Sequence, residues 1–287
     1  MNRRRFVRQS AAAAAAGAVL GPAALSPPAR AATGLGAVPD ALGVQLYMVR
    51  DLLANDMAGT LETLARLGYR QVEAKSMHGR APQDVRALLD VLGLTCPSVH
   101  ADLLPLRDDA EAILDKAVTL GAEYLVLAWF DEPERPPTLD GWAALADELN
   151  ALAQRAADAG LRFAYHNHAF EFASYGGDRP AYDVLLDRLD PSLVDFQIDF
   201  YWAAVAGYDP VEYVRRHPGR FPLWHLKDAG PDDEIAPVGA GRLDWRRIFA
   251  TSETAGLRYL FVDAEDTGRD LATARASIDF VRTLQDN

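Results

Sequence analysis

Residues 43–75 read GVQLYMVRDLLANDMAGTLETLARLGYRQVEAK and contain the unit from which the fold is built. A short apolar run at 43–47 precedes a segment at 57–67 in which apolar residues recur every three or four positions. Gly68 follows that segment, and a second apolar run occupies 70–75. Short apolar runs predict buried strands, the wider spacing predicts an amphipathic helix, and a following glycine is typical of a helix C-terminus. The stretch therefore predicts a strand–helix–strand unit.

The same alternation continues along the chain. Further helices are predicted at 82–92, 108–120 and 139–159, and further strands at 95–100, 123–129, 162–168, 194–201, 222–227 and 259–264. An open doubly wound sheet is the alternative, but it would usually have a glycine-rich nucleotide loop after its first strand, and residues 48–51 (MVRD) do not form one. Eight such units in about 250 residues predict a single (β/α)8 TIM barrel.

The first 31 residues have the features of an export signal. Arginines crowd the first eight positions, an alanine-rich apolar run covers 11–25, and 29–31 (ARA) has the small residues of a cleavage site. The paired arginines before Phe6 indicate the twin-arginine route. We expect cleavage after Ala31, which leaves one domain at 32–287, located in the periplasm and without a membrane anchor.

Composition narrows the classes of partner. The formal net charge is −12 at pH 7, and loss of the signal removes five arginines and no acidic residue, which gives −17. Such an acidic surface repels phosphate backbones and anionic lipids, so nucleic acid and membrane surfaces are excluded as partners. The single cysteine, Cys96, cannot form an internal disulfide, and its apolar surroundings favour a packing role.

Polar residues gather where the predicted strands end, and active sites of such barrels lie at those ends. Side chains two apart share a face of a strand. The residues concerned are Glu73 and Lys75, His100, His166 and His168, then Gln197, Asp199 and Tyr201, then His225 and Lys227, and finally Asp263 and Glu265. Four of the six histidines are in this set. Because buried charges need partners, the set predicts a metal ion or a polar ligand. Histidine and carboxylate ligands suit Mn²⁺, Co²⁺, Zn²⁺ or Mg²⁺.

Five segments, in order, carry a family resemblance. They are VQLYMVRD (44–51), YHNHAFEF (165–172), IDFYWAAVAGYDP (198–210), GRFPLWHLKDAG (219–230) and VGAGRLDWRRIF (238–249). Together they resemble the sugar phosphate isomerase/epimerase family, which has a xylose-isomerase-like barrel. The resemblance implies one divalent ion held by residues of strands five to eight, which match His166, Asp199, His225 and Asp263 here. Asp263 stands where the family has a glutamate, so Glu265 is an alternative ligand at the end of strand eight. At the end of strand five, His168 is the alternative to His166.

The family's epimerases often use two metal-binding glutamates as acid and base, and neither position is a glutamate here. The proton-transfer candidates that remain are Glu73, His168, Glu171, Lys227 and Glu265. Lys227 could equally be a structural ion-pair partner of Glu73 or Glu265. The predicted substrate contacts are His100, Glu171, Tyr201 and Trp202, in which Tyr201 and Trp202 would stack on a sugar ring and Glu171 could instead be a solvated loop residue.

The resulting hypothesis is a periplasmic, divalent-metal-dependent isomerase or epimerase that acts on a sugar or keto-sugar through an enediolate-type intermediate. A 3-keto-glycoside lyase or hydratase on the same barrel is an alternative. A non-catalytic periplasmic sugar-binding protein is another. The apurinic-site endonuclease that shares the barrel is disfavoured by the acidity of the chain. The resemblance also implies a possible homodimer.

Overall fold

The structure, a computed structural model, describes residues 38–265 and 271–285. Eight parallel strands close into one barrel in which each strand pairs with its sequence neighbours and the last pairs with the first. The strands are β1 (Gly43–Gln45), β2 (Gln71–Ala74), β3 (Thr95–Asp102), β4 (Tyr124–Trp129), β5 (Arg162–His166), β6 (Val194–Asp199), β7 (Leu223–Leu226) and β8 (Tyr259–Val262). The predicted (β/α)8 barrel is confirmed. The predicted export signal at 1–31 lies outside the described residues.

Helices surround the barrel. They are α1 (Arg50–Asn55), α2 (Met57–Leu67), α3 (Pro82–Val91), α4 (Leu103–Asp108), α5 (Ala110–Leu120), α6 (Leu139–Asp158), α7 (Ala181–Arg188), α8 (Phe200–Val205), α9 (Pro210–Arg216), α10 (Trp245–Phe249), α11 (Ser252–Ala255) and α12 (Ala272–Gln285). A two-stranded antiparallel ribbon, Asp228–Ala229 with Ile235–Ala236, follows β7. None of the helices in the described part of the chain is both long and apolar enough to cross a bilayer.

Local signals account for the helix ends. α2 begins after Asp56, whose side chain accepts a hydrogen bond from the Gly59 backbone N–H, and ends at Gly68, which has φ of 106°. These bounds match the predicted helix at 57–67. The predicted helix at 108–120 is instead divided at Asp109, because the Asp109 side chain caps a new helix by accepting from Ala112 N–H.

Strand six ends earlier than predicted. The strand was expected over 194–201, but β6 stops at Asp199 and α8 starts at Phe200. The Asp199 carboxylate accepts a hydrogen bond from the Trp202 backbone N–H at 3.1 Å, and this cap starts the helix. Tyr201 therefore lies on a helix and does not share a strand face with Asp199.

The barrel interior changes character along its axis. Near the strand N-termini it is filled by the apolar cluster of Tyr124, Val126, Ala164, Leu223 and Phe261. Alternate residues of the same strands, such as Leu125 and Trp224, belong to the larger core that packs beneath the helices. Near the strand C-termini the buried residues are polar, so only that end of the barrel can hold a polar site.

Candidate active site

A fully buried carboxylate, that of Glu73, forms the floor of the polar end of the barrel. Its two oxygens are held by five side chains: His225 Nε2 at 2.5 Å, Ser98 Oγ at 2.5 Å, Gln197 Nε2 at 2.6 Å, Gln45 Nε2 at 2.9 Å and His100 Nε2 at 2.9 Å. Burial favours the neutral acid, but His100 and His225 lower the pKa of Glu73 well below its usual range. Glu73 is therefore an ionised anchor for the rings above it.

His225 presents a ring nitrogen to two carboxylates. Its Nε2 donates to Glu73, while its buried Nδ1 makes no hydrogen bond and lies 3.5 Å from Asp263 Oδ2 and 3.9 Å from Asp199 Oδ2. Burial disfavours the imidazolium, but the negative charges of Glu73 and Asp263 raise the pKa of His225 to about 10. A lone pair cannot face two carboxylates without a cation between them, so this position requires a proton or a metal ion.

Three further buried atoms near His225 have no hydrogen-bond partner: His166 Nδ1, Asp199 Oδ2 and Asp263 Oδ1. Ligand atoms of Asp199, His225 and Asp263 lie within 4.8 Å of one another, and the His166 and His225 ring centroids are 4.5 Å apart. His100 also neighbours His225, but contacts with Gln45, Gln197 and Glu73 occupy both of its nitrogens. The unpartnered nitrogen and carboxylate atoms fit a borderline-to-hard divalent ion.

The ends of β5 and β6 orient Asp199. The Asn167 side chain accepts a hydrogen bond from Asp199 N–H at 3.0 Å and donates to Asp199 O at 3.2 Å. Asp199 Oδ1 caps α8 through Trp202 N–H, which leaves Oδ2 facing the site. The sequence His166-Asn167-His168 thus sends two rings towards the site and uses the residue between them to fix Asp199.

Lys227 neutralises the carboxylates of Asp199, Asp263 and Glu265. Its Nζ is fully buried and lies 2.7 Å from Asp263 Oδ2, 2.7 Å from Glu265 Oε1 and 3.2 Å from Asp199 Oδ2. Burial disfavours the ammonium, but these three carboxylates raise the pKa of Lys227 well above its usual range. Lys227 is therefore a permanent cation that sets the orientation of both aspartates.

His168 and Glu265 face each other across the wall of the site. His168 Nε2 lies 4.0 Å from Glu265 Oε1, and its ring meets Trp129 edge-on at 4.9 Å between centroids. Burial and the charge of Lys227 lower the pKa of His168 well below its usual range, so its ring is neutral at pH 7. The Arg50 guanidinium donates to Glu265 O at 2.9 Å and holds that strand end in place.

These groups open into a cavity of about 620 Å³ at the C-terminal end of the barrel. Its walls include the imidazoles of His100, His166, His168 and His225 and the carboxylates of Asp263 and Glu265. A neutral base, a carboxylate and a candidate metal centre thus meet in one space, a combination that can move a proton on carbon beside a carbonyl.

The structure gives two predicted catalytic residues contacts within the protein. Glu73 and Lys227 are fully buried and are absent from the cavity wall. The hydrogen bonds of Glu73 and the ion pairs of Lys227 go to protein groups, which indicates that both residues position others. Their catalytic roles stay predictions. His168 and Glu265 do line the cavity.

Three of the four predicted substrate contacts also lie outside the cavity wall. Glu171 is fully buried and accepts hydrogen bonds from the Tyr165 hydroxyl and His168 N–H, so it fixes the strand-five loop. Tyr201 donates to Asp233 O from α8, and Trp202 packs behind His168 with 5.5 Å between ring centroids. The substrate contacts of these three residues stay predictions, although none of them lines the cavity. The fourth residue, His100, lines the cavity.

The sequence interpretation missed residues at the ends of β1 and β4. Gln45, the last residue of β1, donates to Glu73, and Trp129, the last of β4, lines the cavity with Tyr47 and Asp102. Gln45 and Trp129 are uncharged and stand outside the histidine- and carboxylate-rich segments of the sequence. Their position at the last residue of a barrel strand was the signal that could have identified them.

Comparison with known proteins agrees with this architecture. The family described as the xylose isomerase-like TIM barrel matches residues 61–284. The inosose dehydratase of Geobacillus kaustophilus is 28% identical over 228 residues, which cover 70% of this chain and 68% of that protein. A sugar phosphate isomerase/epimerase from Parabacteroides distasonis has a similar structure, with a TM-score of 0.72, 23% identity and coverage of 88% of this chain and 95% of its own. An IolI protein with a bound zinc atom has a TM-score of 0.69 and 13% identity over 86% of this chain and 98% of its own. This chain belongs to the xylose isomerase-like TIM barrel family of enzymes.

Proposed function

We propose that the protein is a divalent-metal-dependent lyase that removes a proton beside the ketone of a cyclic keto-sugar or keto-polyol and eliminates a neighbouring oxygen substituent. The observation that carries the proposal is the set of buried nitrogen and carboxylate atoms of His166, Asp199, His225 and Asp263 that make no hydrogen bond, beside a cavity that also contains a neutral histidine. Relatives of similar length named inosose dehydratase support elimination over other outcomes.

Asp199, His225 and Asp263 would hold the metal ion, with His166 as a neighbouring ligand. When bound, the ion would act as a Lewis acid towards the substrate carbonyl and stabilise the negative charge that forms on its oxygen. Glu73 would keep the proton of His225 on Nε2, so that Nδ1 is available as a ligand. Lys227 would keep the two aspartates ionised and correctly turned.

His168 would act as the base. Its neutral ring lies on the cavity wall, and the Glu171 carboxyl group holds its backbone N–H at 2.9 Å. It would take the proton from the carbon next to the ketone, the electron pair of that bond would form the new carbon–carbon double bond, and the bond to the leaving oxygen would break. The leaving oxygen would then receive the proton that His168 has taken, and Glu265, 4.0 Å from His168 Nε2, would be the counter-charge of the imidazolium in between.

The test is incubation of the Mn²⁺-loaded protein with scyllo-inosose and with 3-keto-glucosides, followed by mass spectrometry of the products. Loss of water or of the glycosidic alcohol, together with an absorbance from the conjugated enone, is the expected result. A His168→Ala variant that retains its metal should lose the reaction. Full activity in that variant, or no product from any keto-sugar, would contradict the proposal.

Isomerisation or epimerisation of a keto-sugar is the second candidate, because it shares the first proton transfer. The 4.0 Å approach of His168 to Glu265 favours it, since two groups on the cavity wall could exchange protons with the same intermediate. Reaction in D₂O separates the candidates. Elimination gives a product lighter by the leaving group, whereas isomerisation gives a product of unchanged formula that carries deuterium.

We also infer that the mature protein works in the periplasm. The support is the twin-arginine pattern and the apolar run within residues 1–31. A fusion of residues 1–40 to a reporter should reach the periplasm in cells with a working twin-arginine pathway. Replacement of Arg4 and Arg5 by lysine should keep the reporter in the cytoplasm.

A further inference from the structure

The two halves of the cavity wall differ in chemistry. The groups around the candidate metal centre stand at or just after the ends of β5 to β8: His166, His168, His225 and Asp263. The opposite wall contains polar groups, such as Lys75 and Asp102, and also a set of apolar and aromatic residues: Tyr47, Leu104, Pro105 and Trp129. We call these four residues the rim patch. A ligand whose reacting ring lies over the first half must extend its other end over the rim patch.

The rim patch is apolar and accessible. Among the described residues, four large hydrophobic side chains are exposed, and two of them, Leu104 at 53% and Tyr47 at 38%, belong to this patch. Apolar side chains that are exposed next to one another in a concave site indicate a ligand contact.

The charged groups near the rim patch are already paired within the protein. Lys75 Nζ lies 3.0 Å from Asp102 Oδ1 and 5.2 Å from the Tyr47 ring centroid. Asp131 Oδ1 accepts a hydrogen bond from Trp129 Nε1 at 2.9 Å, and Asp131 N–H donates to Glu134. Lys75 and Asp102 thus neutralise each other, and Asp131 is engaged with Trp129, beside the apolar side chains that line the same cavity.

The cavity has room for a ligand larger than one sugar ring. Its volume is about 620 Å³. Sites of roughly 300–1,000 Å³ enclose drug-sized ligands, and a single sugar ring with about a dozen non-hydrogen atoms would fill only part of such a space. A group attached to the sugar can therefore occupy the same cavity.

From the apolar wall, the paired charges and the volume, we propose that the rim patch is a subsite for a neutral aryl group attached to the sugar. The natural substrate would then be an aryl glycoside derivative rather than a free sugar or cyclitol. This inference rests on the proposed function for the position of the reacting ring. Tyr47, Leu104 and Trp129 would determine specificity, and none of them takes part in the proton transfers.

The test compares the binding of three unreactive probes to the Mn²⁺-loaded protein by calorimetry: methyl β-D-glucoside, phenyl β-D-glucoside and cellobiose. These probes have no ketone, so binding is measured without turnover. The phenyl glucoside should bind about tenfold more tightly than the methyl glucoside, because burial of one phenyl ring removes a large apolar area from water. Leu104→Asp should reduce that ratio to about twofold or less.

Val118→Asp is the matched control, because Val118 is 50% exposed on α5 and is not part of the cavity wall. It should preserve the ratio. Equal binding of the phenyl and methyl glucosides, no saturable binding of phenyl glucoside at millimolar concentration, or tighter binding of cellobiose than of phenyl glucoside would each overturn the aryl subsite. A protein that prefers the aryl glucoside but has no keto-sugar activity would contradict the proposed function alone. A protein that acts on keto-sugars but shows no aryl preference would contradict the subsite alone.

Discussion

Replacement of Glu73 by glutamine should change how metal affinity depends on pH. In the metal-free protein, the Glu73 and Asp263 carboxylates raise the pKa of His225 to about 10, so a metal ion at Nδ1 must displace a proton. Mn²⁺ affinity should therefore rise about tenfold per pH unit between about pH 6 and pH 8.5. Glu73→Gln removes one of the two charges, and proton competition should then end at a lower pH.

The magnitude follows from the contacts of Glu73. Loss of a carboxylate behind a ligating histidine typically costs about 10–100-fold in intrinsic metal affinity, so the variant should bind Mn²⁺ more weakly above pH 8, and the difference should shrink towards pH 6. The amide N–H₂ group of the variant would also face the five side chains that surround the Glu73 carboxylate. This clash of donors should cost about 3 kcal/mol of stability and lower Tm by roughly 6–12 °C.

Calorimetric Mn²⁺ titrations in buffers of different ionisation enthalpy measure both the affinity and the protons released. Asp195→Asn is a suitable control, because Asp195 is a buried carboxylate at the other end of β6 that pairs with Arg162 at 2.8 Å. It should lower Tm without changing the slope of affinity against pH. Identical slopes in Glu73→Gln and in the unmodified protein would refute the assigned role of Glu73.

Three other variants test separate parts of the site. Lys227→Met leaves three carboxylates without their cation, so the metal-free variant should lose about 3–5 kcal/mol of its free energy of unfolding. Added Mn²⁺ should raise the Tm of this variant more than it raises the Tm of the unmodified protein, and equal increases would contradict the role of Lys227. His168→Ala should lower kcat by about 10²–10⁴-fold while one metal ion remains bound, as measured by steady-state kinetics and elemental analysis. Burial raises the pKa of Glu171 from its ordinary value of 4.5 to about 8. Between these two pH values the folded state binds a proton that the unfolded state has lost, so the free energy of unfolding falls as the pH rises. Glu171→Gln should remove this contribution, of up to about 1.4 kcal/mol per pH unit, in urea titrations at several pH values.

The fold and the strand-end positions of the site could be predicted from the sequence. Helix α2 has the predicted bounds at 57–67, because both of its ends carry local signals: the Asp56 cap and Gly68. The alternation of side chains likewise placed His166 at the end of β5, although the strand was predicted to run to His168 and stops two residues earlier. These features depend on a few neighbouring residues, and such residues are visible in a sequence.

The depth of each side chain in the barrel could not be predicted. Glu73 and Lys227 satisfy the same alternation rule as Asp263, yet neither lines the cavity, because the tilt and register of the strands decide which residues reach its wall. The rim patch was also hidden from the sequence. Leu104 and Pro105 look like ordinary helix residues until the barrel brings them beside Trp129.

The most direct test of the account is the metal content of the mature protein, purified without chelator or a nickel column, compared with Asp199→Asn, Asp263→Asn and the double variant. We predict about one Mn, Co or Zn per chain in the unmodified protein, a lower content in each single variant and none in the double variant, with the fold intact by circular dichroism. Full occupancy in the double variant, or an unmodified protein that binds no added Mn²⁺, would contradict the proposed metal centre.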